Sequence, residues 1–387
     1  MAAWFRPFFF AAGLFAVFGT VLWTALYSFQ WAGLPANYPA MTWHAHEMIF
    51  AYALAVIAGF LLTAVKNWTG VPTLEGYPLL VLASIWLMAR CLPFTGWSLV
   101  WTALADLVFL IGLFLAVVRP IVIAKQWKQA GILAKLGLLL LANGWFYLGL
   151  LGYWPLGSVL GLYLGFYLVI ALILTMGRRV IPFFIEKGIG VPFVARNHLW
   201  LDRASLILFL AFAVLDLAAM STGKPLLIYL VAVLAVVQVL LHSIRLQGWY
   251  HPLIWRKPLL WVLYLAYAWL TLGFALKFLS LMVEVSPWLA VHAFAYGGIG
   301  MMTLGMMARV SLGHTGRDVA NPPVVLNALF ALLGLGAVIR VFLVWWLPNV
   351  QAIWILAAQF LWIAAFAGFI WVYAPLWLKA RVDGRPG

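Results

Sequence analysis

Twelve apolar runs, most of them about the 20 residues that a helix needs to cross a bilayer, constrain this chain more than any other feature. Their limits are 8–30, 46–65, 78–92, 97–118, 135–151, 157–176, 204–220, 225–243, 258–279, 288–308, 324–347 and 352–377. One such run could be a buried core helix, but twelve in succession leave too little polar surface to cover a water-facing globule. Only 8% of the residues are charged, against roughly 25% in a soluble domain. Strand-type alternation is absent, and lipid cannot satisfy open backbone groups, so the spans are expected to be helices. Many links carry Pro or Gly, as in Gly33-Leu34-Pro35 and Asn321-Pro322-Pro323. The predicted fold class is an all-α integral membrane protein, a bundle of about twelve transmembrane helices. It reads as one transmembrane domain over 1–387, with two halves, 1–176 and 204–387, joined by a cytoplasmic loop at 177–203. No residue-level repeat relates the halves. The first run follows Met1-Ala2-Ala3-Trp4-Phe5-Arg6 without a convincing cleavage site and reads as a retained span.

Charge fixes the orientation. The chain carries 23 Lys and Arg against 9 Asp and Glu. The basic residues are scattered singly between apolar runs, not gathered in a stripe, which argues against a nucleic-acid partner. With the N-terminus cytoplasmic, 19 of the 23 fall in cytoplasmic regions, and only Arg90, Lys224, Lys277 and Arg340 lie outside. This positive-inside bias supports cytoplasmic N- and C-termini and an even number of spans, because a missed helix would have erased it. The 23 Trp lie mostly near segment ends, where an interfacial belt accounts for them. The single cysteine, Cys91, excludes an internal disulfide and a thiolate metal cluster.

Polar residues within spans are costly and therefore informative. His44 and His46 open the second segment at the outer face, and His292 lies near the outer start of the tenth. His242 ends the eighth at the inner face, and His314 lies in a cytoplasmic loop. On a regular helix, residues two apart point about 200° away from each other, so His44 and His46 would not share a metal. His44 and Glu47, three apart, would share a face. Were His44 in a turn before the helix, the two imidazoles could converge. Imidazoles at the mouth of a bundle suit haem iron or copper. Interfacial histidines bonded to backbone or lipid are the plainer reading. His292 and Tyr296 lie one turn apart, and Gly297, Gly298 and Gly300 admit either a close helix or a flat ring. Asp106, Arg90, Arg340 and Glu284 are ions near the same end, and the arginines could hold haem propionates or neutralise an acid. At the inner end, the turn from Arg309 to Arg317 and the pair His242 and Arg245 fit an anion site or an ordinary basic loop. No phosphate loop, paired-carboxylate arrangement or nucleophile elbow is present.

Three stretches carry a resemblance to a known family. They are Trp43-His-Ala-His-Glu-Met-Ile-Phe running on to Gly70, Gly177-Arg-Arg-Val-Ile-Pro-Phe-Phe184, and the block from His292 through Met306-Met-Ala-Arg-Val-Ser-Leu-Gly-His-Thr-Gly-Arg317. Together they resemble the NnrS family. The resemblance implies a protein of the bacterial inner membrane that contains haem b and copper and serves the nitric oxide response. It makes His44, His46 and His292 the leading metal ligands, with His314 and His242 behind them. Arg90 and Arg340 become cofactor-binding candidates, and Glu47 a candidate proton donor. Relatives often place a histidine where this chain has Tyr264, which puts one metal site in doubt.

Three functions compete on this basis. The first is a haem protein that binds nitric oxide or another small diatomic ligand, or reduces it with electrons from a quinol or a cytochrome. The second is a twelve-helix secondary transporter. Against it, the loop from Lys66 to Gly76 lacks an acidic–basic gating cluster. The third is a haem-based sensor or scaffold without turnover. Whether the chain is an enzyme stays open at this point.

Overall fold

The computed structural model describes residues 5–382, and these are helical with no strand among them. The reading of Met1 to Trp4 and the charge of Arg385 fall outside the described residues. Twelve helices are long and apolar enough to cross a membrane. They are α1 (Arg6–Tyr27), α2 (Ala40–Thr69), α3 (Gly76–Phe94), α4 (Leu99–Ile123), α5 (Trp127–Leu150) and α6 (Gly157–Gly188). The rest are α7 (Leu199–Thr222), α8 (Pro225–Trp249), α9 (Pro258–Met282), α10 (Pro287–His314), α11 (Val325–Trp346) and α12 (Pro348–Leu378). The chain is a multi-pass helical membrane protein.

Each apolar run has its helix, and the differences lie at the ends. At many ends backbone hydrogen bonding continues past the apolar stretch into the polar flank, whereas α1 stops three residues before its run does and α11 lies just inside its run. Two ends bear on function. Helix α2 begins at Ala40, directly after the extended Pro39, and so includes His44. Helix α6 runs to Gly188 through Pro182. The expected loop 177–203 is therefore helical up to Gly188 and again from Leu199, and the true link is about ten residues long. Its Arg178, Arg179 and Glu186 are helical residues. A proline at an interior helix position removes one backbone bond without ending the helix when neighbours re-satisfy the freed groups.

Among the described residues, three spans contain a π-helical stretch. Glu47–Ala53 in α2, Ala293–Gly300 in α10 and Ile339–Leu343 in α11 are π-helical. The wider turn shifts every later side chain around the axis, and such turns often mark functional sites. Two of them begin directly after His46 and His292, and the third contains Arg340.

The helices gather into two compact units. One comprises Met1–Val169, His314–Arg317 and Ile370–Gly387, and the other Ile170–Gly313 and Asp318–Phe369. In the first, Phe8, Phe9, Leu61, Leu62, Phe109 and Leu113 are buried core residues. Helices α5 and α6 touch backbone to backbone there. A Cβ on Gly161 would lie 2.5 Å from the Ala142 carbonyl oxygen and from the Phe146 nitrogen. In the second unit, the core includes Phe209, Phe212, Phe274 and Phe294, whose rings meet edge-on around Phe274.

The α5–α6 approach makes a direct test. Gly161→Ala should destabilise the protein by about 1–3 kcal/mol, the usual range for overpacking. The readout is the thermal unfolding midpoint in detergent. Gly144→Ala, where a Cβ meets nothing within 4 Å, should leave that midpoint unchanged or raise it.

Candidate functional site

The first unit contains a closed network of charge inside its spans. His46 and Glu47 come from α2, Arg90 from α3, Asp106 from α4, and Asn143 and Tyr147 from α5. All are buried, with His46, Asp106 and Asn143 fully inaccessible. The Arg90 guanidinium reaches Asp106 Oδ1 through Nη2 at 2.5 Å and lies 3.3 Å from Glu47 Oε2 through Nε. His46 Nδ1 faces Glu47 Oε1 at 3.1 Å. Its Nε2 faces Asn143 Oδ1 at 2.9 Å and Asp106 Oδ2 at 3.3 Å. Asn143 Nδ2 donates to Asp106 Oδ2 at 3.0 Å, which fixes the amide so that its oxygen points at the imidazole. Tyr147 donates to the same carboxylate oxygen at 3.1 Å. The imidazole lies flat against the Phe146 ring, with centroids 4.2 Å apart.

Both His46 nitrogens face acceptors, so both are placed to donate. That is the geometry of an imidazolium. Two cations then balance two carboxylates in a site that lipid and core would otherwise make prohibitive. The same geometry leaves His46 no lone pair for a metal. Above this network, Tyr38 is buried with an unpartnered hydroxyl. Burial and the Glu47 carboxylate push its phenol well above the usual range, so it stays neutral.

His44 and His46 point apart, as regular helix geometry requires. The alternative of a late helix start is overturned, because α2 begins at Ala40. His44 is half-buried and stacks on Trp23, centroids 4.2 Å apart and planes within 11°. Glu47 pairs with its neighbour His46 and with Arg90.

In the second unit, His292 is half-buried at the last α-helical position before the π-turn of α10. Its Nδ1 donates to the Trp288 carbonyl at 2.7 Å, and its Nε2 accepts from Arg340 Nη2 at 3.0 Å. One nitrogen thus carries the proton, and the other is unprotonated with its lone pair on Arg340, a side chain that would have to turn away for a metal to bind there. Tyr296 donates to the Ala358 carbonyl at 2.8 Å, and a Cβ on Gly336 would fall on its hydroxyl. The glycines of the π-turn are taken up by packing. Gly297 lies under the Trp269 indole, Gly298 against Leu270, and Gly300 against Trp362.

His242 is not at the end of α8. It lies a full seven residues before Trp249 and is completely buried. Arg245 Nη1 donates to the Tyr267 hydroxyl at 2.6 Å, and that hydroxyl lies 2.8 Å from His242 Nδ1. Arg245 Nη1 also points at Nδ1 from 3.4 Å. Two donors converge on Nδ1, so it accepts and Nε2 carries the proton, again leaving no lone pair for a metal. Arg245 continues to Asp202 at 2.9 Å and Ser205 at 2.9 Å, and Asp202 also takes Arg178 at 2.7 Å. Arg309 lies over the Phe184 ring at 3.8 Å. Tyr264 donates to the Leu246 carbonyl at 3.0 Å. His314, in the first unit, packs its ring against Phe5 at 5.9 Å.

Asn143, Tyr147, Ser205 and Tyr267 went unnoticed in the sequence. A lone Asn in Leu-Leu-Leu-Leu-Ala-Asn143 was signal enough for one of them. The other three are small hydroxyls or aromatic tips that a span tolerates without comment. The four outside cations also acquire meaning. Arg90 pairs with Asp106 and Glu47, Arg340 with His292, and Lys277 with Asp216 at 2.8 Å. Three of the four exceptions to the charge rule are thus engaged within spans and do not act as topology signals.

Among the described residues, no three His, Cys, Asp or Glu side chains are grouped to hold a metal ion. The fit of a metal therefore rests on single imidazoles. His292 fits, with its tautomer set by a backbone carbonyl and its lone pair beside a guanidinium. His44 offers one half-buried ring. His46 and His242, as they stand, do not fit. The apolar groove of about 720 Å³ between α9 and α11, walled by Trp261, Trp269, Phe330 and Phe342, has no imidazole in its lining.

Fold and site define a multi-pass helical membrane protein whose spans hold buried, mutually neutralised charge. The chain belongs to the NnrS family, whose model, described as NnrS protein, matches residues 1–381. Membership of that family fits a membrane protein tied to the nitric oxide response. No curated protein matches the chain.

Removing one member of the buried quartet should be severe. Arg90→Gln leaves two carboxylates against one imidazolium and should cost about 3–5 kcal/mol, the range for breaking a buried pair. The double variant Arg90→Gln/Asp106→Asn restores neutrality and should recover part of that loss. Chemical unfolding in detergent, followed by tryptophan fluorescence, measures both.

Proposed function

We propose that this chain is a haem protein, with copper as a second metal, that binds or reduces nitric oxide and protects a bacterium against nitrosative stress. Its location would be the inner membrane. The observation that carries the reading is His292, an imidazole whose Nδ1–H is held by the Trp288 carbonyl and whose unprotonated Nε2 accepts from the movable Arg340 side chain, in a chain of the NnrS family. A backbone acceptor behind the imidazole is the usual partner of a metal-binding histidine, because it fixes the tautomer and raises basicity.

Haem, when bound, would supply an iron with an open position for a diatomic ligand. His292 would hold it from one side. Arg340, 3.0 Å from Nε2, would turn from the imidazole to a propionate, a pairing its guanidinium suits. His44 is the remaining candidate for a copper or haem ligand, a half-buried ring stacked on Trp23 in the stretch that resembles the family. His314 is a weaker candidate of the same kind. Glu47 and His46 share a proton position between Oε1 and Nδ1 and could hold or pass a proton. Arg90 is committed to its two carboxylates and is a positioning residue in this scheme. Electrons for any reduction would come from a quinol or a cytochrome.

The test is an absorption spectrum and a metal assay on protein purified after expression with ample haem and copper. Wild type should show a Soret band that shifts on addition of nitric oxide. His292→Ala should lose most of that band and its iron, whereas His46→Gln should retain them if it folds. Full haem and copper in both His292→Ala and His44→Ala would overturn the site assignment. A wild-type protein without any Soret band would overturn the function.

A further inference from the structure

The end of α10 and the turn after it, His314-Thr315-Gly316-Arg317, pack into a cluster of arginines that the haem reading does not use. In the first unit this stretch packs with the start of α1 and the segment after α12. Arg381 Nη1 donates to the His314 carbonyl at 2.8 Å, and the Val382 amide donates to the Thr315 carbonyl at 3.3 Å. Thr315 is completely buried. Arg6, the first residue of α1, is only 6% exposed.

One corner of the Arg6 guanidinium is spent on α12. Its Nη1 donates to the Trp377 carbonyl at 3.3 Å and to the Lys379 carbonyl at 2.8 Å, capping the end of that helix. The other edge, Nε with Nη2, is buried with no hydrogen-bond partner among the described residues, and so is Nη1 of Arg317. The charges that act on Arg6 come from Arg317 and Arg381, both of its own sign. No ion pair with Arg6 or Arg317 occurs among the described residues. Burying unpaired donors on a cation beside two further cations is unfavourable on every count. The arrangement becomes favourable when an anion with at least two oxygens is present. The Nε/Nη2 edge of a guanidinium is a planar fork whose spacing matches two oxygens of one phosphate.

We infer that Arg6, with Arg317 and Arg381 beside it, binds a phosphate group at the cytoplasmic end of the first unit. The three guanidiniums would share its charge, and the free edge of Arg6 would take two of its oxygens. Two sources carry the same chemistry: the headgroup of an anionic phospholipid of the inner leaflet, and a soluble phosphate ester. The site stands whether or not the chain binds haem.

The experiment uses the full chain in phosphatidylcholine nanodiscs. Phosphatidylglycerol is titrated in one arm and inorganic phosphate in the other, with thermal stability and native mass spectrometry as readouts. Wild type should retain phosphatidylglycerol and gain stability if the source is lipid, or be stabilised by phosphate alone if the source is soluble. Arg317→Gln leaves the α12 cap intact and should weaken binding by about tenfold or more, the value of a charge-assisted bond. Arg6→Lys keeps the charge but loses the fork, and should weaken binding several-fold without abolishing it. Asp383, next in sequence after Val382, lies outside the described residues, so Asp383→Asn is measured too. Binding that is retained or tightened there supports the site. Equal binding by wild type, Arg317→Gln and Arg6→Lys, or no binding in either arm, overturns it.

Discussion

Lipid and packed core cannot solvate a charge, and the interior of this protein is organised around that fact. The quartet of His46, Glu47, Arg90 and Asp106 satisfies it by internal neutrality, with Asn143 and Tyr147 filling the remaining acceptor positions. Four helices are thereby committed to one register, because sliding any of them would strand an ion. The same logic recurs in the second unit, where Asp202 answers both Arg178 and Arg245, and Asp216 answers Lys277. With few acids against many bases, nearly every carboxylate within a span is given to a cation.

Histidine protonation follows from these arrangements. His46 is enclosed by acceptors and held as a cation, whereas His242 meets two donors at Nδ1 and is held neutral. His292 meets a carbonyl at Nδ1 and a guanidinium at Nε2, so it is neutral, with its lone pair engaged by Arg340. Three imidazoles with the same intrinsic chemistry thus have three different capacities. The π-turns at Glu47 and Ala293 contribute by rotating the helix just beyond each histidine.

Much of the fold was legible beforehand. Twelve runs became twelve helices, with differences confined to their ends. The site was legible only in outline. The polar positions His46, Asp106, Arg90 and Arg340 were visible as exceptions to composition, but an Asp–Arg pair and a propionate-binding arginine look alike in one dimension. Arg90 proved to be the paired kind, and Arg340 to face an imidazole. The π-turns were not legible at all, since one extra residue per turn leaves hydropathy unchanged.

Hydropathy is a sum over many residues, so the sequence by itself determined the span count and the helical class. Hydrogen-bond roles depend on which single atoms approach within about 3 Å, and those atoms come from segments tens to hundreds of residues apart. Only the tertiary structure could therefore decide that His46 is walled in by Glu47, Asp106 and Asn143, that Nε2 of His292 accepts from Arg340, and that one buried edge of Arg6 has no partner among the described residues.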